Sequence, residues 1–291
     1  MILSDRNLPG HLRIGTCSWK YRSWAGLLYS EENISSYLNQ YSRILNTVEV
    51  DQWFWSLFPG AVALPKPETV KAYAAAVPDD FTFSVKVPNS ITLTHHYRKS
   101  KTATLQPNDH FLSVSLFSDF LQRLEPMQDK LGPLMFQFEY LNREKMSGQS
   151  EFMKQFQTFI RQLPKDWTYA LEIRNPNYLN ADLFNWMQDQ AIIPVLLQGY
   201  YMPSVFHIYQ NFISDTRPLV FRLHGPDRTG IEQQTGRVWD QRVNNKDEEL
   251  EQMAGIIRKF DLDGHTLYVN VNNHYEGSAP LTIDELLKKV V

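Results

Sequence analysis

Six stretches of the sequence carry two polar side chains, spaced two residues apart, at or near the end of an apolar run typical of a β-strand. The clearest is "TYALEIRNPNYL", residues 168–179, in which Glu172 and Arg174 stand just before Asn175 and Pro176. The other five pairs are Glu49 with Asp51, Ser84 with Lys86, Gln137 with Glu139, Arg222 with His224, and Asn270 with Asn272. Alternate residues of a strand point to the same face, so each pair is expected to share one face of its strand.

Four of these side chains are candidate catalytic residues. Glu172 and Glu49 could act as general acid and base, and His224 is an alternative proton carrier. Two carboxylates with aromatic neighbours would also fit glycosidic chemistry. Lys86 could stabilise developing negative charge, or act as a nucleophilic amine if its cationic neighbours lower its pKa.

Other members of the pairs suit the binding of a polar ligand. Arg174 and Arg222 could clamp a phosphate or a carboxylate, because a guanidinium donates parallel hydrogen bonds to such groups. The further predicted substrate-binding residues of the pairs are Gln137, Asp51, Asn270 and Asn272. The pairs therefore predict a site for a small polar, anionic or carbohydrate-like molecule, with a purely structural network of ion pairs as the alternative.

The residue types give less support to a metal site. A metal would need histidines and carboxylates that converge without ammonium and guanidinium groups between them. His224 is the one histidine at a predicted strand end, whereas His95 and His96 lie in a long polar loop. We therefore predict no cofactor, with a divalent metal as the lesser alternative. Cys17 is expected to be a small buried side chain rather than a nucleophile.

The segments that must position these residues alternate between strand and helix patterns. Predicted strands cover residues 12–16, 46–50, 81–87, 132–138, 169–174, 192–198, 219–223 and 266–271. Helical patterns cover residues 32–45, 67–77, 110–127, 150–163, 180–190, 246–260 and 282–290. Such alternation predicts parallel pairing with helices outside the sheet.

Two α/β folds satisfy that alternation, an open doubly wound sheet and a closed barrel. The first predicted strand is followed by "GTCSWKY", which lacks the glycine-rich turn of a dinucleotide-binding sheet. We therefore predict a TIM-type (β/α)8 barrel with parallel strands and outer helices, forming a single domain over residues 1–291. In such barrels the site lies at the carboxyl ends of the strands, where the polar pairs stand.

Composition limits the classes of partner. The chain has 291 residues and a formal net charge of −3, which argues against a general binder of duplex DNA or anionic membranes. Its single cysteine fits a reducing compartment, and no apolar run approaches the length of a membrane span. We expect a cytoplasmic protein, monomeric, with a small-molecule ligand and no membrane partner.

Seven motifs, taken in order, resemble the domain-of-unknown-function family 72 (DUF72), also called the YecE-like family. They are "IGTCSWKYRSWAG", "NTVEVDQWFW", "FTFSVKVPNSITLTH", "LGPLMFQF", "ALEIRNPNYL", "FRLHG" and "LYVNVNNHYEGSAP". The residues that match the family pattern are Gly15, Trp19, Glu49, Lys86, Gln137, Glu172, Arg174, Arg222, His224, Gly225 and Asn273. The resemblance implies a TIM-type barrel and no established reaction, and it adds Trp19 and Asn273 to the predicted substrate-binding residues.

The sequence departs from the family pattern in two places. Cys17 and Ser18 stand where the family usually has serine and glycine, and "DQWFW" replaces a stretch similar to Asn-Ser-Thr-Phe-Tyr. The second departure introduces Asp51, Trp53 and Trp55, which changes the polarity beside the second strand. We expect it to affect which ligand is accepted.

Three classes of function follow. The first is an enzyme that acts on a polar or anionic small molecule. The second is a nucleic-acid-binding or nucleic-acid-processing barrel, similar to apurinic endonuclease IV at the level of fold; the Trp clusters and the basic loop with Arg98, Lys99 and Lys101 favour it. The third is a non-enzymatic ligand sensor or scaffold whose charged network is structural.

Overall fold

Eight parallel strands follow one another around a closed barrel, in the order in which they occur in the sequence. The computed structural model describes residues 8–30, 33–98, 100, 103–213 and 218–290, with the side chains of 261–263 left out. The strands are β1 (Leu12–Thr16), β2 (Thr47–Val50), β3 (Thr82–Lys86), β4 (Leu131–Phe138), β5 (Tyr169–Ile173), β6 (Ile193–Gly199), β7 (Leu219–Gly225) and β8 (Leu267–Val271). β1 pairs with β8, and a bridge between Cys17 and Glu49 closes the barrel beside β2.

Helices cover the outside of this barrel. They are α1 (Tyr37–Tyr41), α2 (Pro67–Ala75), α3 (Asn89–Thr92), α4 (Val114–Leu124), α5 (Gln149–Ile160), α6 (Ala181–Asp189), α7 (Val205–Phe212), α8 (Arg228–Thr235), α9 (Asp247–Asp263) and α10 (Ala279–Val290). Short 3-10 helices lie at Arg22–Trp24, Ile34–Ser36, Glu125–Lys130 and Pro176–Tyr178, and a small hairpin joins Leu57–Phe58 to Ala61–Val62. Among the described residues, no helix is both long and apolar enough to cross a membrane.

The main hydrophobic core lies between the strands and the helices. Phe136 of β4 shows how the helices attach, because its ring centroid lies 5.2 Å from those of Phe117 in α4 and Phe156 in α5. All three side chains are fully buried. Burying such rings is the dominant favourable contribution to folding, at about 1.5–3 kcal/mol for each large apolar side chain.

A second, smaller apolar cluster fills the lower half of the barrel interior. It consists of Met135, Ala170, Val195, Val220 and Tyr268. Gly132 leaves room for it, since a Cβ atom there would approach the Tyr268 hydroxyl to 2.9 Å. Two residues further along four of these strands, the residues on the same face are polar: Gln137, Glu172, Arg222 and Asn270. The interior therefore changes from apolar to polar toward the carboxyl ends of the strands.

Side chains join β1 to β2 where the backbone ladder is incomplete. Asn46 accepts a hydrogen bond from one β1 amide at 2.9 Å and donates to a β1 carbonyl at 2.7 Å. The Tyr41 hydroxyl accepts from the Thr16 amide at 2.8 Å and donates to the Thr47 carbonyl at 2.9 Å. The two strands approach closely at Gly15, where a Cβ atom would lie 1.9 Å from the Thr47 oxygen. Only glycine fits there without moving the neighbouring strand.

The barrel and its parallel strands are as predicted, and two helix predictions need correction. The segment "GPDRTGIEQQTGRVWDQR" after β7 was interpreted as a loop from its sequence, yet part of it forms α8. Asp227 caps this helix by accepting a hydrogen bond from the Gly230 amide at 2.8 Å, so the glycine belongs to a helix start. The predicted helix over 32–45 is short in the structure, because Asn33 binds the Ser35 hydroxyl and amide and holds that part in a 3-10 turn.

Candidate functional site

A cavity of about 580 Å³ opens at the carboxyl ends of the strands. The predicted site residues that line it are Asp51, Lys86, Gln137, Arg174, Arg222, His224 and Asn272. They come from six different strands or the residues directly after them. The barrel thus brings together side chains that are as much as 221 residues apart in the sequence, from Asp51 to Asn272.

Arg222 holds the centre of the site. Its side chain is buried, and it donates from Nε to Glu49 Oε2 at 2.7 Å and from Nη2 to Glu49 Oε1 at 2.6 Å. Its Nη1 donates to Glu172 Oε2 and, at 3.3 Å, to Gln137 Oε1. One guanidinium therefore joins β2, β4, β5 and β7 and neutralises two buried carboxylates.

Arg174 extends this network toward the cavity. Its Nε donates to Glu172 Oε1 at 2.8 Å and its Nη2 donates to Gln137 Oε1 at 3.1 Å. The Arg174 side chain is 24% exposed, and its Cζ lies 5.3 Å from the centroid of the Tyr200 ring. The guanidinium thus has one edge bound to the network, and the residue lines the cavity.

The protonation states of the network follow from its charges. Burial alone would raise the pKa of Glu172, but the guanidiniums of Arg222 and Arg174 outweigh it and lower the pKa to about 2. Burial likewise disfavours the charged form of Arg222, and the carboxylates of Glu172 and Glu49 reverse this and raise its pKa. The Glu172 carboxylate is thus ionised at neutral pH, with both oxygens accepting hydrogen bonds.

Lys86 is the buried cation that this network does not engage. It is the last residue of β3 and 9% exposed, and it makes no ion pair with a carboxylate of the described residues. Its Nζ lies 3.9 Å from the centroid of the Phe54 ring. Burial, followed by repulsion from Arg222, lowers its pKa to about 8.

His224 and Cys17 lie together beside the network. His224 Nε2 is 3.5 Å from Cys17 Sγ, and its Nδ1 is 3.5 Å from the Tyr200 hydroxyl. Burial and the nearby Arg222 hold the pKa of His224 well below its ordinary value. Burial and Glu49 raise the pKa of the Cys17 thiol. Both groups are therefore neutral near pH 7, which suits hydrogen bonding rather than proton carriage or nucleophilic attack.

Asp51 brings a carboxyl group of a different kind. It lines the cavity, and burial together with the neighbouring Glu49 raises its pKa above the ordinary value. Among the predicted site residues, it is the cavity-lining carboxyl whose protonated form is favoured by its surroundings.

Five predicted site residues lie outside the cavity lining. Glu49 and Glu172 are fully buried in the Arg222 network, and Asn270 is fully buried with no hydrogen-bond partner for its amide among the described residues. Asn273 accepts a hydrogen bond from the Ala279 amide at 2.9 Å and so supports the start of α10. Trp19 is buried and packs edge-on against Tyr73, with ring centroids 4.9 Å apart.

Aromatic side chains surround the mouth of the cavity. Four of them are large and exposed: Trp55 at 62%, Tyr97 at 55%, Tyr140 at 50% and Tyr201 at 58%. They form two facing pairs, with ring centroids 6.0 Å apart for Trp55 and Tyr97 and 6.2 Å apart for Tyr140 and Tyr201. We call these four residues the aromatic rim. Trp55 lies in a predicted stacking segment, whereas the tyrosines were missed, although two of them follow strand ends in "FEY" and "QGYY".

A second ionic cluster stands at one side of the mouth. His274 lines the cavity, and its Nε2 lies 3.1 Å from Glu232 Oε1. Glu232 also accepts from Arg228 at 2.7 Å and from Arg237 at 2.8 Å. These contacts, that with Arg228 first, lower the pKa of Glu232 to about 2. These contacts were not predicted from the sequence, because the segment that forms α8 was interpreted as a loop.

The basic loop and the residue types that bind metals were also considered in the sequence. In the basic loop, Arg98 pairs with Glu144 at 2.6 Å, while Lys99 and Lys101 lie outside the described residues. Within the described part of the chain, no group of three or more His, Cys, Asp or Glu residues is placed to hold a metal ion.

Comparisons with known proteins agree with this architecture. A family model described as "Protein of unknown function DUF72" matches residues 13–291. The UPF0759 protein YecE of Escherichia coli is 28% identical over 165 residues, which are 57% of this chain and 49% of that protein. The match thus spans about half the length of that relative.

Solved structures show the same fold. A DUF72 family protein from Enterococcus faecalis has a TM-score of 0.68 at 18% identity, covering 96% of this chain and 95% of that one. One from Thermotoga maritima has a TM-score of 0.67 at 18% identity, covering 95% and 98%. A psychrophilic glycoside hydrolase family 10 endo-beta-1,4-xylanase is more distant, with a TM-score of 0.51 at 9% identity over 94% and 96%. Since the family model matches nearly the whole sequence, this chain belongs to the DUF72 family.

Proposed function

We propose that this protein is an enzyme whose barrel cavity binds a small molecule carrying a carboxylate or phosphate group, and that Lys86 and Arg174 hold this group. The observation that carries the proposal is the distribution of charge. Arg222 is occupied by Glu49 and Glu172, whereas Lys86 lines the cavity with no ion pair to a described carboxylate. A buried cation without a partner is unfavourable, so a ligand anion would stabilise it.

The remaining charges of the lining support the same proposal. Arg228 is paired with Glu232, and Glu139 is paired with Lys145 at 2.7 Å. Burial and the neighbouring Glu49 raise the pKa of Asp51, so its charged form is disfavoured relative to that of an exposed aspartate. These pairings leave Lys86 and the outer edge of Arg174 as the cationic groups that face the cavity.

The roles of the carboxylates change in this proposal. Glu172 is ionised with both oxygens engaged, so it has no proton to donate as a general acid near pH 7. Glu49 accepts two hydrogen bonds from the Arg222 guanidinium. We therefore assign both to positioning the guanidiniums. Asp51 becomes the proposed proton carrier, because its raised pKa lies closer to neutral pH.

The aromatic rim supports a ligand with a flat or ring-shaped part. Exposed aromatic faces stack on sugar rings and other planar groups, and all four rim residues line the cavity that contains Lys86 and Arg174. A sugar acid or a sugar phosphate would place its ring against the aromatic rim and its anionic group against Lys86 and Arg174. The xylanase similarity concerns fold alone and adds nothing to this choice.

Calorimetric titration with inorganic phosphate and with oxalate tests the proposal. We expect measurable binding that weakens at least about tenfold in Lys86→Met and in Arg174→Met, because a hydrogen bond to a charged group contributes about 1.5–3 kcal/mol. Lys20→Met is the matched control, since Lys20 is exposed near the same end of the barrel and does not line the cavity. The proposal fails if neither anion binds, or if the control loses as much affinity as the two site variants.

A further inference from the structure

Lys86 differs from the other cations of the site in having no carboxylate partner among the described residues. It ends β3 and lines the cavity, and it is 9% exposed. The network takes up the nearby carboxylates, since both oxygens of Glu49 and both of Glu172 accept from guanidiniums. If Lys86 served only to balance charge inside the protein, one of these carboxylates would be expected to form an ion pair with it.

The Phe54 ring restricts how Lys86 can be approached. The ring covers one side of Nζ at a centroid distance of 3.9 Å. Phe54 also lines the cavity, so the remaining side of Nζ is the one that a ligand can reach. An amine held in this way is shielded from water on its apolar side and directed toward a bound molecule.

The charges around Lys86 favour a partly deprotonated amine. Burial and Arg222 of β7 lower its pKa to about 8, while Glu49 of β2, Glu172 of β5 and Asp51 act in the opposite direction. The Phe54 ring also favours the ammonium form. With that pKa, roughly a tenth of the molecules carry a neutral amine at pH 7, compared with roughly one in three thousand for an ordinary lysine.

We propose that Lys86 forms a Schiff base with the carbonyl carbon of an anionic aldehyde or 2-oxo acid whose carboxylate or phosphate lies against Arg174. This inference rests on the proposed function, since the anion site is what brings the carbonyl to the amine. Neutral lysine in an apolar, cation-flanked pocket is the form that reacts with carbonyl compounds.

The chemistry balances without any further reagent. The Nζ lone pair attacks the carbonyl carbon, forming the N–C bond and placing the electron pair of the C=O π-bond on oxygen. The oxygen takes up a proton, and the nitrogen gives up a proton, to give a neutral carbinolamine. The carbinolamine hydroxyl then takes up the proton that the ammonium gave up when the amine formed, and the nitrogen lone pair expels it as water to leave a protonated imine. The net change is ammonium plus carbonyl to iminium plus water. Asp51, which lines the same cavity, is the group available to pass these protons.

Reductive trapping on the full chain tests the step. The protein is incubated with glyoxylate, a small anionic aldehyde, and the imine is reduced with sodium borohydride and mapped by peptide mass spectrometry. We expect the adduct on Lys86 to form at least about tenfold faster than on Lys145 or Lys20, because its neutral fraction at pH 7 is roughly three hundredfold larger than that of an ordinary lysine. The rate should rise with pH through about 8 and fall when inorganic phosphate competes.

Variants and a separate binding measurement make the result decisive. Lys86→Arg and Lys86→Met should both lack the adduct at this position, whereas Lys145→Arg, which keeps a cation beside Glu139, should label Lys86 as the native chain does. No adduct on Lys86 in a chain that binds phosphate by calorimetry overturns the Schiff base and leaves the proposed function standing. Absence of binding by both phosphate and oxalate overturns both. Equal labelling of Lys86 and the exposed Lys20 overturns the Schiff base.

Discussion

Arg222 is the residue on which the polar interior of the barrel depends. It holds Glu49 with two hydrogen bonds and reaches Glu172, and all three side chains are almost completely buried. Such a network is worth little when compared with apolar packing, but removing one member leaves an uncompensated charge behind. The stability of the barrel is therefore most sensitive to the loss of a single charge in this group.

Glu172→Gln is expected to destabilise the fold with a characteristic pH dependence. Arg222 and Arg174 lower the folded-state pKa of Glu172 from 4.5 to about 2, which corresponds to roughly 3 kcal/mol of stability. The pKa is depressed, so this stability is present above pH 4.5 and is lost as the pH falls toward 2. Urea unfolding across this range should show the loss in the native chain. The variant should be less stable at pH 7 by a similar amount and lack this part of the slope; equal stability at pH 7 would contradict the network.

Lys86→Met is expected to change the stability at pH 7 in the opposite direction from Glu172→Gln. Burial and Arg222 lower the folded-state pKa of Lys86 from 10.5 to about 8, so the native chain gains stability as the pH rises from 8 to 10.5. Below pH 8 the unfavourable burial of the ammonium is fully present, at roughly 3 kcal/mol or less. Urea unfolding at pH 7 should therefore show the variant as stable as the native chain or more so. A marked loss at pH 7 would mean that Lys86 has a stabilising partner.

At the level of elements, the join between β1 and β2 shows what sequence patterns could and could not reveal. Apolar alternation predicted both strands, and the interval between them predicted helical structure. The pattern gave no sign that Tyr41 and Asn46 would complete the hydrogen bonding between the strands, because side-chain partners across a join depend on register. Gly15 was recognised as matching the family, and its physical reason, the close approach of Thr47, appears only in three dimensions.

Tyr41→Phe should weaken this join. The variant removes the hydroxyl that binds the Thr16 amide and the Thr47 carbonyl, and leaving such buried groups unpaired costs about 1–3 kcal/mol. Tyr37→Phe on the same helix is the control, because the fully buried Tyr37 hydroxyl has no hydrogen-bond partner among the described residues. Thermal and urea unfolding should separate the two variants, and equal losses would show that the effect comes from packing alone.

The position of the candidate site could be predicted from the sequence, but the ion pairs and hydrogen bonds between its residues could not. Strand alternation placed Lys86, Arg174 and Arg222 at one end of the barrel, where the cavity lies. It could not show that Arg222 would occupy Glu49 and Glu172 and leave Lys86 apart, because that depends on which strands face each other across the interior. For the same reason, nothing in the pattern separated the buried carboxylates from Asp51, whose side chain lines the cavity.

For the whole molecule, charge argues against the nucleic-acid alternative. The net charge is −3, and of the site cations Arg222 is buried in ion pairs while Lys86 is buried below the mouth. Single-stranded nucleic acid binds to exposed cations along a groove, with strong dependence on salt. The aromatic rim alone would give weak stacking without that electrostatic attraction. Cytoplasmic location and a monomeric state stay predictions from the sequence.

Fluorescence anisotropy with labelled single-stranded oligonucleotides provides the check. We expect no saturable binding at low salt and micromolar protein, because the cations of the described cavity lining are buried or paired with carboxylates and are poorly placed to release counterions. Binding that weakens steeply with added salt, and that Trp55→Ala or Tyr201→Ala reduces, would favour the nucleic-acid alternative over a small-molecule enzyme. Both rim residues are more than half exposed, so these variants should fold as the native chain does.

The charge-balanced layer lies above the apolar cluster in the barrel interior. This arrangement affects which residues can be exchanged without loss of the fold. Two carboxylates and two guanidiniums form ion pairs with one another in that layer, so its charges are balanced without Asp51, Lys86 or the aromatic rim. Exchanges at Asp51, Lys86 or the aromatic rim can therefore alter ligand preference without unfolding the support beneath. Asp51 and Trp55 of the "DQWFW" departure line the cavity in that upper tier, whereas Trp53 is buried in the main hydrophobic core. The same tier is where a new specificity could be grafted onto this chain with the least loss of stability.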